Sequence, residues 1–252
     1  MAKRLPFKLG KEPLLEAVCE VRVSSKVGLH TVLPGYLVAK GICDQPVIEQ
    51  LAAAQVPDAV RANEPGLRDS PLVSVRWTNF ALLIGQRSIA VANPAPYAGW
   101  DQFRRQIEAV LGLVLASGFV DRVERYSMKY VNLFAEDSSL SGAEAIDLNL
   151  RLGLFALSAN NNIQLRAELT EDGFVTVVSV IASAVVQSST GVRTGAILDI
   201  DTVREGIAMS PTDFAGNLRS LLDDIRMRNK RVFFDSLLDE AIIKLEPQYA
   251  AD

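Results

Sequence analysis

The chain is 252 residues long and 49% hydrophobic, and its 26 basic and 30 acidic residues give a formal charge of −4. That balance supplies no net positive field to draw in nucleic acid or an anionic membrane. The longest near-continuous apolar run, residues 174 to 186, falls well short of the roughly 20 residues that a membrane-spanning helix needs.

The first residues, Met1 to Pro6, carry positive charge, but Lys8, Lys11 and Glu12 interrupt the stretch behind them, so no signal-peptide core forms and the expected compartment is the cytoplasm. Cys19 and Cys43 are the only cysteines and lack a CxxC spacing, in keeping with a reducing environment. Leu15, Ala17, Cys19, Val21 and Val23 alternate with Glu16, Val18, Glu20 and Arg22, the period-2 pattern of a half-buried strand. Residues 26 to 70 are punctuated by Gly28, Pro34, Gly35, Gly41, Pro46, Pro57, Pro65 and Gly66, with a short helix expected over Gln45 to Ala54.

Three apolar runs, 72–77, 80–85 and 88–92, are separated by Thr78-Asn79 and Gln86-Arg87, a spacing that predicts a meander of antiparallel hairpins. A turn over Asn93 to Gly99 leads into a helix whose Trp100, Phe103, Ile107, Val110, Leu111, Val114 and Leu115 share one face, and Gly118 ends it. Period 2 returns over residues 119 to 134. The polar stretch Ala135 to Gly142 reads as a linker between halves 1–135 and 143–252.

In the second half, Ile146, Leu148, Leu150, Leu152 and Leu154 alternate with polar residues and predict a strand, with Asn160-Asn161-Asn162 turning into another at 163–169. After Glu171-Asp172-Gly173, the run 174–186 reads as a strand buried on both faces, and a further strand passes through Ile197, Leu198 and Ile200. Ser210-Pro211-Thr212-Asp213 has the composition of a helix start. The helix beginning there buries Phe214, Leu218, Leu221, Leu222 and Ile225, shifts its apolar face around 226–231 with a kink or register change expected there, and fades near Pro247. The fold class is therefore α+β: two mainly antiparallel sheets, each packed by a long helix, in halves that can be structurally related.

No P-loop, GxGxxG, GxSxG or zinc-ligand spacing is present, and no catalytic residue is assigned. His30 is the only histidine; with no nucleophile cued beside it, a structural or surface role is favoured over catalysis. Asp199 and Asp201 stand at i and i+2 of a strand and project from the same face, where they could share a divalent cation, although an ordinary solvated strand carries the same pattern. Glu16, Glu20, Arg22, Arg76, Glu124, Lys129, Arg151, Arg166 and Glu168 also lie in predicted strands. Converging, they could bind a metal and a phosphorylated ligand as in triphosphate tunnel enzymes, but paired surface charges account for them and the Glu-x-Glu-x-Lys run is missing. Arg226, Arg228, Lys230 and Arg231 form the one candidate nucleic-acid patch, diluted by Asp223, Asp224 and Asp235, so that a solvated helix face is favoured. Trp77, Tyr97, Trp100 and Tyr126 read as core and turn anchors rather than binding aromatics.

Residues 13–22 (PLLEAVCEVR), Pro96-Tyr97-Ala98-Gly99-Trp100 with Phe103, Arg125-Tyr126 with Tyr130-Val131-Asn132, and Leu198-Asp199-Ile200-Asp201 together resemble a sporadically distributed bacterial family of about 250-residue proteins with no established activity. The resemblance implies no catalytic signature and a setting near mobile elements, toxin–antitoxin pairs or phage-defence loci. Where it implies a histidine in the final helix, this chain has Arg226 or a neighbour. The expected function is a non-catalytic protein-binding module, antitoxin-like, a sensor or an accessory subunit of a defence system, with a protein partner and room for self-association. The alternative is a metal-dependent phosphoryl-group enzyme or nucleotide binder using a divalent cation at Asp199 and Asp201.

Overall fold

The computed structural model describes residues 3–42, 45–136, 142–158, 161–188 and 191–250. Cys43, Asn160 and residues 137–141 of the expected linker lie outside them. Along the chain run β1 (Lys8–Leu9), β2 (Leu14–Ser24), α1 (Leu29–Ala39), β3 (Val47–Gln50), α2 (Asp58–Asn63), β4 (Val73–Trp77), β5 (Phe80–Ile84), β6 (Ser88–Pro94) and α3 (Trp100–Ala116). Next come β7 (Arg122–Ala135), β8 (Leu150–Leu152), β9 (Phe155–Leu157), β10 (Gln164–Glu171), β11 (Phe174–Ser188), β12 (Gly191–Met209), α4 (Pro211–Asp235), α5 (Asp239–Lys244) and β13 (Pro247–Gln248).

The chain is α+β, with one large antiparallel sheet ordered β10-β11-β12-β7-β2-β6-β5-β4-β3 and two-stranded ladders β1–β13 and β8–β9. One nine-stranded sheet thus takes strands from both halves of the sequence, in place of the two sheets those halves suggest. The join is made where β7, from the first half of the sequence, pairs with β12, from the second. β7 and β12 run for 14 and 19 residues, far beyond the usual five or six. No described helix is long and apolar enough to cross a membrane.

The described chain groups into two compact units, one of Glu16–Met128 with Val203–Ile225 and the other of Met1–Leu15, Lys129–Thr202 and Arg226–Asp252. In the first, β2 buries Ala17, Cys19, Val21 and Val23 on one side. The meander forms as expected, with Val73 opposite Ile84 and Ala81 opposite Ala92. Helix α3 buries Phe103, Ile107, Val110, Leu111, Val114 and Leu115, and Gly118 succeeds it with φ +78°.

Two elements in the first unit depart from the sequence reading. The expected helix over 45–54 is instead the edge strand β3, antiparallel to β4 with Val47 opposite Arg76, and then a 3-10 turn at Ala52–Gln55. The β-branched pair Val47-Ile48 favours extended backbone there. Helix α1, by contrast, forms through Pro34 by burying Leu29, Leu33 and Leu37 at four-residue spacing, although Pro34 cannot donate to the carbonyl four residues back.

The turn ahead of α3 is organised by Asn93, which is fully buried. Its side-chain amide donates to the Asn79 carbonyl at 2.8 Å, and its Oδ1 accepts the Ala98 N–H at 2.9 Å. The start of α4 carries a reciprocal cap, in which Ser210 Oγ accepts the Asp213 N–H at 3.1 Å and donates to the Asp213 carboxylate at 2.6 Å. Beyond it, Phe214, Leu218, Leu222 and Ile225 are buried.

In the second unit the core gathers Phe134, Ile146, Val180, Ala196, Leu198, Ile200, Phe233, Phe234 and Leu237. Helix α4 is continuous from Pro211 to Asp235; the lapse in its apolar face coincides with Asn229, buried and donating to the Ile200 carbonyl at 2.8 Å. The helix does not continue to Pro247; a separate α5 intervenes. The run 174–186 is a strand, but it buries Phe174, Thr176, Val180 and Ala182 while Val185 stays exposed, so burial is one-sided. The leucine alternation at 146–154 does not make one strand either. Ile146 enters the core, whereas β8 and β9 turn back on each other around Gly153 and leave Leu152 and Leu154 exposed.

Replacing Asn93 by alanine is expected to lower unfolding free energy in urea by about 1–3 kcal/mol, because buried backbone groups of the turn lose their partner. Leu154→Ser, at a side chain facing water, is expected to change it by less than about 0.5 kcal/mol in the same titration.

Candidate functional site

Charged side chains on the sheet are matched to one another at short range. In the first unit Glu20 accepts from Arg22 Nε at 2.7 Å and from Arg125 Nη1. Arg22 also reaches Asp69 at 2.6 Å, and Arg125 reaches Glu205 at 3.2 Å. Two guanidiniums and three carboxylates thus form one alternating chain. Burial pushes the Arg22 guanidinium down, but Glu20, its hydrogen bond, Asp69 and Glu205 outweigh it and hold the group above its ordinary pKa. Arg76 pairs with Glu49 at 2.6 Å on neighbouring strands.

In the second unit Lys129 Nζ lies 2.8 Å from Asp199 Oδ2. Asp199 Oδ1 is buried with no hydrogen-bond partner, and Asp201 projects from the same side of β12 two residues on. The lysine ammonium stands beside the carboxylate that a bridging cation would need. Among the described residues no group of three or more His, Cys, Asp or Glu side chains is placed to hold a metal. Arg166 pairs with Glu168 at 2.6 Å, both more than half exposed.

The basic run on α4 is divided by the helical repeat. Arg228 turns to Asp172 at 3.2 Å and lies 4.4 Å over the Phe174 ring. Lys230 donates to the Pro6 carbonyl, and burial with the nearby Arg226 charge brings its pKa down to about 8. Arg231 is exposed. Arg226 and Lys230 therefore share a helix face, while Arg228 belongs to another neighbourhood.

His30 sits in α1 with its ring against Gly28, where an added Cβ would lie 2.9 Å from the imidazole, and its Nδ1 is buried without a hydrogen bond. Burial, then the Arg61 charge, lower its pKa, opposed by Asp58. Arg61 is itself buried, donating to the Ala53 and Val56 carbonyls and to Asp58. The aromatics serve packing: Tyr97 and Trp100 meet Phe103 edge-on at 6.1 and 6.4 Å, Tyr126 meets Phe214 at 5.7 Å, and Trp77 lies 6.1 Å from Phe80.

Three polar anchors escape the sequence reading: Arg61, Asn93, and the Asp223 carboxylate, which accepts from Trp100 Nε1 at 3.2 Å and Arg104 Nη1 at 3.1 Å. Asp223 is read from sequence only as a charge diluting the basic run; nothing local marks its pairing with residues more than a hundred positions earlier.

The structure also presents an apolar hairpin. In β8–β9, Leu150 stands opposite Leu157 and Leu152 opposite Phe155, so all four share one face, with Arg151 and Ala156 on the other. Leu152 is 69% exposed, Phe155 70% and Leu154, in the turn, 93%.

A folded-state pKa below the unfolded value makes His30 bind fewer protons when folded, so its contribution to stability is intact above the unfolded pKa and is lost as pH falls below it. Urea titrations at pH 7.5 and 5.5 are expected to show a smaller loss of stability in His30→Gln than in the unsubstituted protein. An equal loss in both would remove His30 as the cause.

In comparisons with known proteins, no family model and no curated protein matches this chain.

Proposed function

We propose that this chain is a non-catalytic protein-binding module, with the β8–β9 hairpin as part of its contact surface. The observation that carries this reading is the apolar face of Leu150, Leu152, Phe155 and Leu157, on which Leu152 and Phe155 are exposed, with exposed Leu154 at its tip. A two-stranded hairpin is marginal by itself in water, and its stability improves when its apolar face is covered. Each large side chain covered by a partner contributes about 1.5–3 kcal/mol before the costs of association are subtracted. Arg151 is the only charge in the hairpin, which suits an apolar recess on another protein better than a phosphate backbone. The family resemblance supports a role as a sensor, an antitoxin-like protein or an accessory subunit of a bacterial defence system.

The mutual pairing of Arg22, Glu20, Arg125, Lys129 and Asp199 supports binding over catalysis, since each ion already has a counter-ion at hydrogen-bond distance. A second reading keeps one observation of its own: the unpartnered Oδ1 of Asp199 beside Asp201 suits a divalent cation serving a phosphorylated ligand.

Capture from the native host with the full chain as bait is expected to recover a stoichiometric protein that is lost with Leu154→Ser/Phe155→Ser while circular dichroism stays unchanged. Recovery of nothing above background, or equal recovery by the variant, overturns the hairpin as the contact. Calorimetry with Mn²⁺ and a nucleotide addresses the second reading: heat in the unsubstituted protein that disappears in Asp199→Ala would favour the enzyme.

A further inference from the structure

Strand β10 is the last strand on its side of the sheet, so one of its two edges pairs with no other strand among the described residues. It is regular. All eight residues, Gln164 to Glu171, pair in unbroken register with β11, without a bulge, proline or glycine. Long flat edges of this kind are usually blunted by lysine, proline or a bulge, because the open backbone groups invite another strand.

The turn after β10 is the two-residue loop Asp172-Gly173, with φ +50° and +75°, closed by Glu171 opposite Phe174. The closing pair of such a hairpin points its N–H and C=O groups inward, and alternation then turns those of Gln164, Arg166, Glu168 and Thr170 outward, to the open edge.

About Ala167 the strand places leucines at equal distances and charges of opposite sign, reading Leu165, Arg166, Ala167, Glu168, Leu169. We propose that β10 pairs antiparallel with β10 of a second copy of this chain, on a two-fold axis through Ala167. In that register Arg166 stands opposite the partner's Glu168 and Glu168 opposite the partner's Arg166, each pair exchanging two backbone hydrogen bonds. Gln164 pairs with the partner's Thr170 in the same way. Leu169, half exposed here, comes opposite the partner's Leu165 on the other face.

The existing Arg166–Glu168 ion pair becomes half of a four-charge array of alternating sign. Moving the axis one residue either way sets Arg166 opposite Arg166 or Glu168 opposite Glu168, so charge selects the register and the two-fold contact is self-complementary. This contact is independent of the hairpin surface proposed above.

Sedimentation velocity on the full chain over a concentration series tests it. The unsubstituted protein is expected to show a monomer–dimer equilibrium. Arg166→Glu alone and Glu168→Arg alone are each expected to raise the dissociation constant at least about tenfold, since like charges then face each other on an otherwise unchanged strand. An equimolar mixture of those two variants is expected to recover dimer, as is the double exchange Arg166→Glu/Glu168→Arg. Circular dichroism and urea titration establish that each variant folds. Failure to detect dimer in the unsubstituted protein overturns the proposal. So does a dimer that survives both single reversals, or one that is abolished by Leu154→Ser/Phe155→Ser instead.

Discussion

A pleated strand must send successive side chains to opposite sides, and an apolar layer on one side leaves the other to whatever alternates with it. On β2 that partition buries Ala17, Cys19, Val21 and Val23 and sets Glu20 and Arg22 together on the reverse face. On β12 it buries Ala196, Leu198 and Ile200 and sets Asp199 and Asp201 on the reverse. Charges confined to one face of neighbouring strands find counter-ions across the ladder, as Lys129 finds Asp199 at 2.8 Å and Arg125 finds Glu205 at 3.2 Å. A carboxylate already paired with a guanidinium or an ammonium takes up a proton less readily than a free one.

Elements whose burial obeys a single period are legible in the sequence itself. The alternation of β2, the two-residue gaps of the β4–β5–β6 meander, and the three-and-four spacing of α3 each have one physical solution. Where two principles compete, the weaker cue misleads. Pro34 and Gly35 hide α1, yet three leucines buried on one helical face outweigh one lost hydrogen bond. The leucines of 146–154 alternate perfectly, but Gly153 takes φ +59° and turns the chain back after only three residues of β8.

The candidate site is less legible because its partners are remote in sequence. Asp199 and Asp201 are visible as a pair; that Lys129 stands beside Asp199, or that Asp223 receives both Trp100 and Arg104, depends on tertiary packing that no local spacing records. Asn229 shows the same limit from the other direction. The lapse in the apolar stripe of α4 suggests a bend, whereas a buried amide bonded to the Ile200 carbonyl fills the gap and the helix continues through it.

The grouping of the chain carries a consequence for how it is made. The unit of Glu16–Met128 and Val203–Ile225 has all its segments once residue 225 has left the ribosome, whereas the other needs Arg226–Asp252 beside residues translated long before. Lys8 and Leu9 wait for Gln248 and Pro247, the most distant strand partners among the described residues. A chain ending at residue 225 would therefore carry every segment of one unit and lack one of the other's, leaving the apolar surfaces of Phe134, Leu198 and Ile200 without Phe233, Phe234 and Leu237 and open to chaperones.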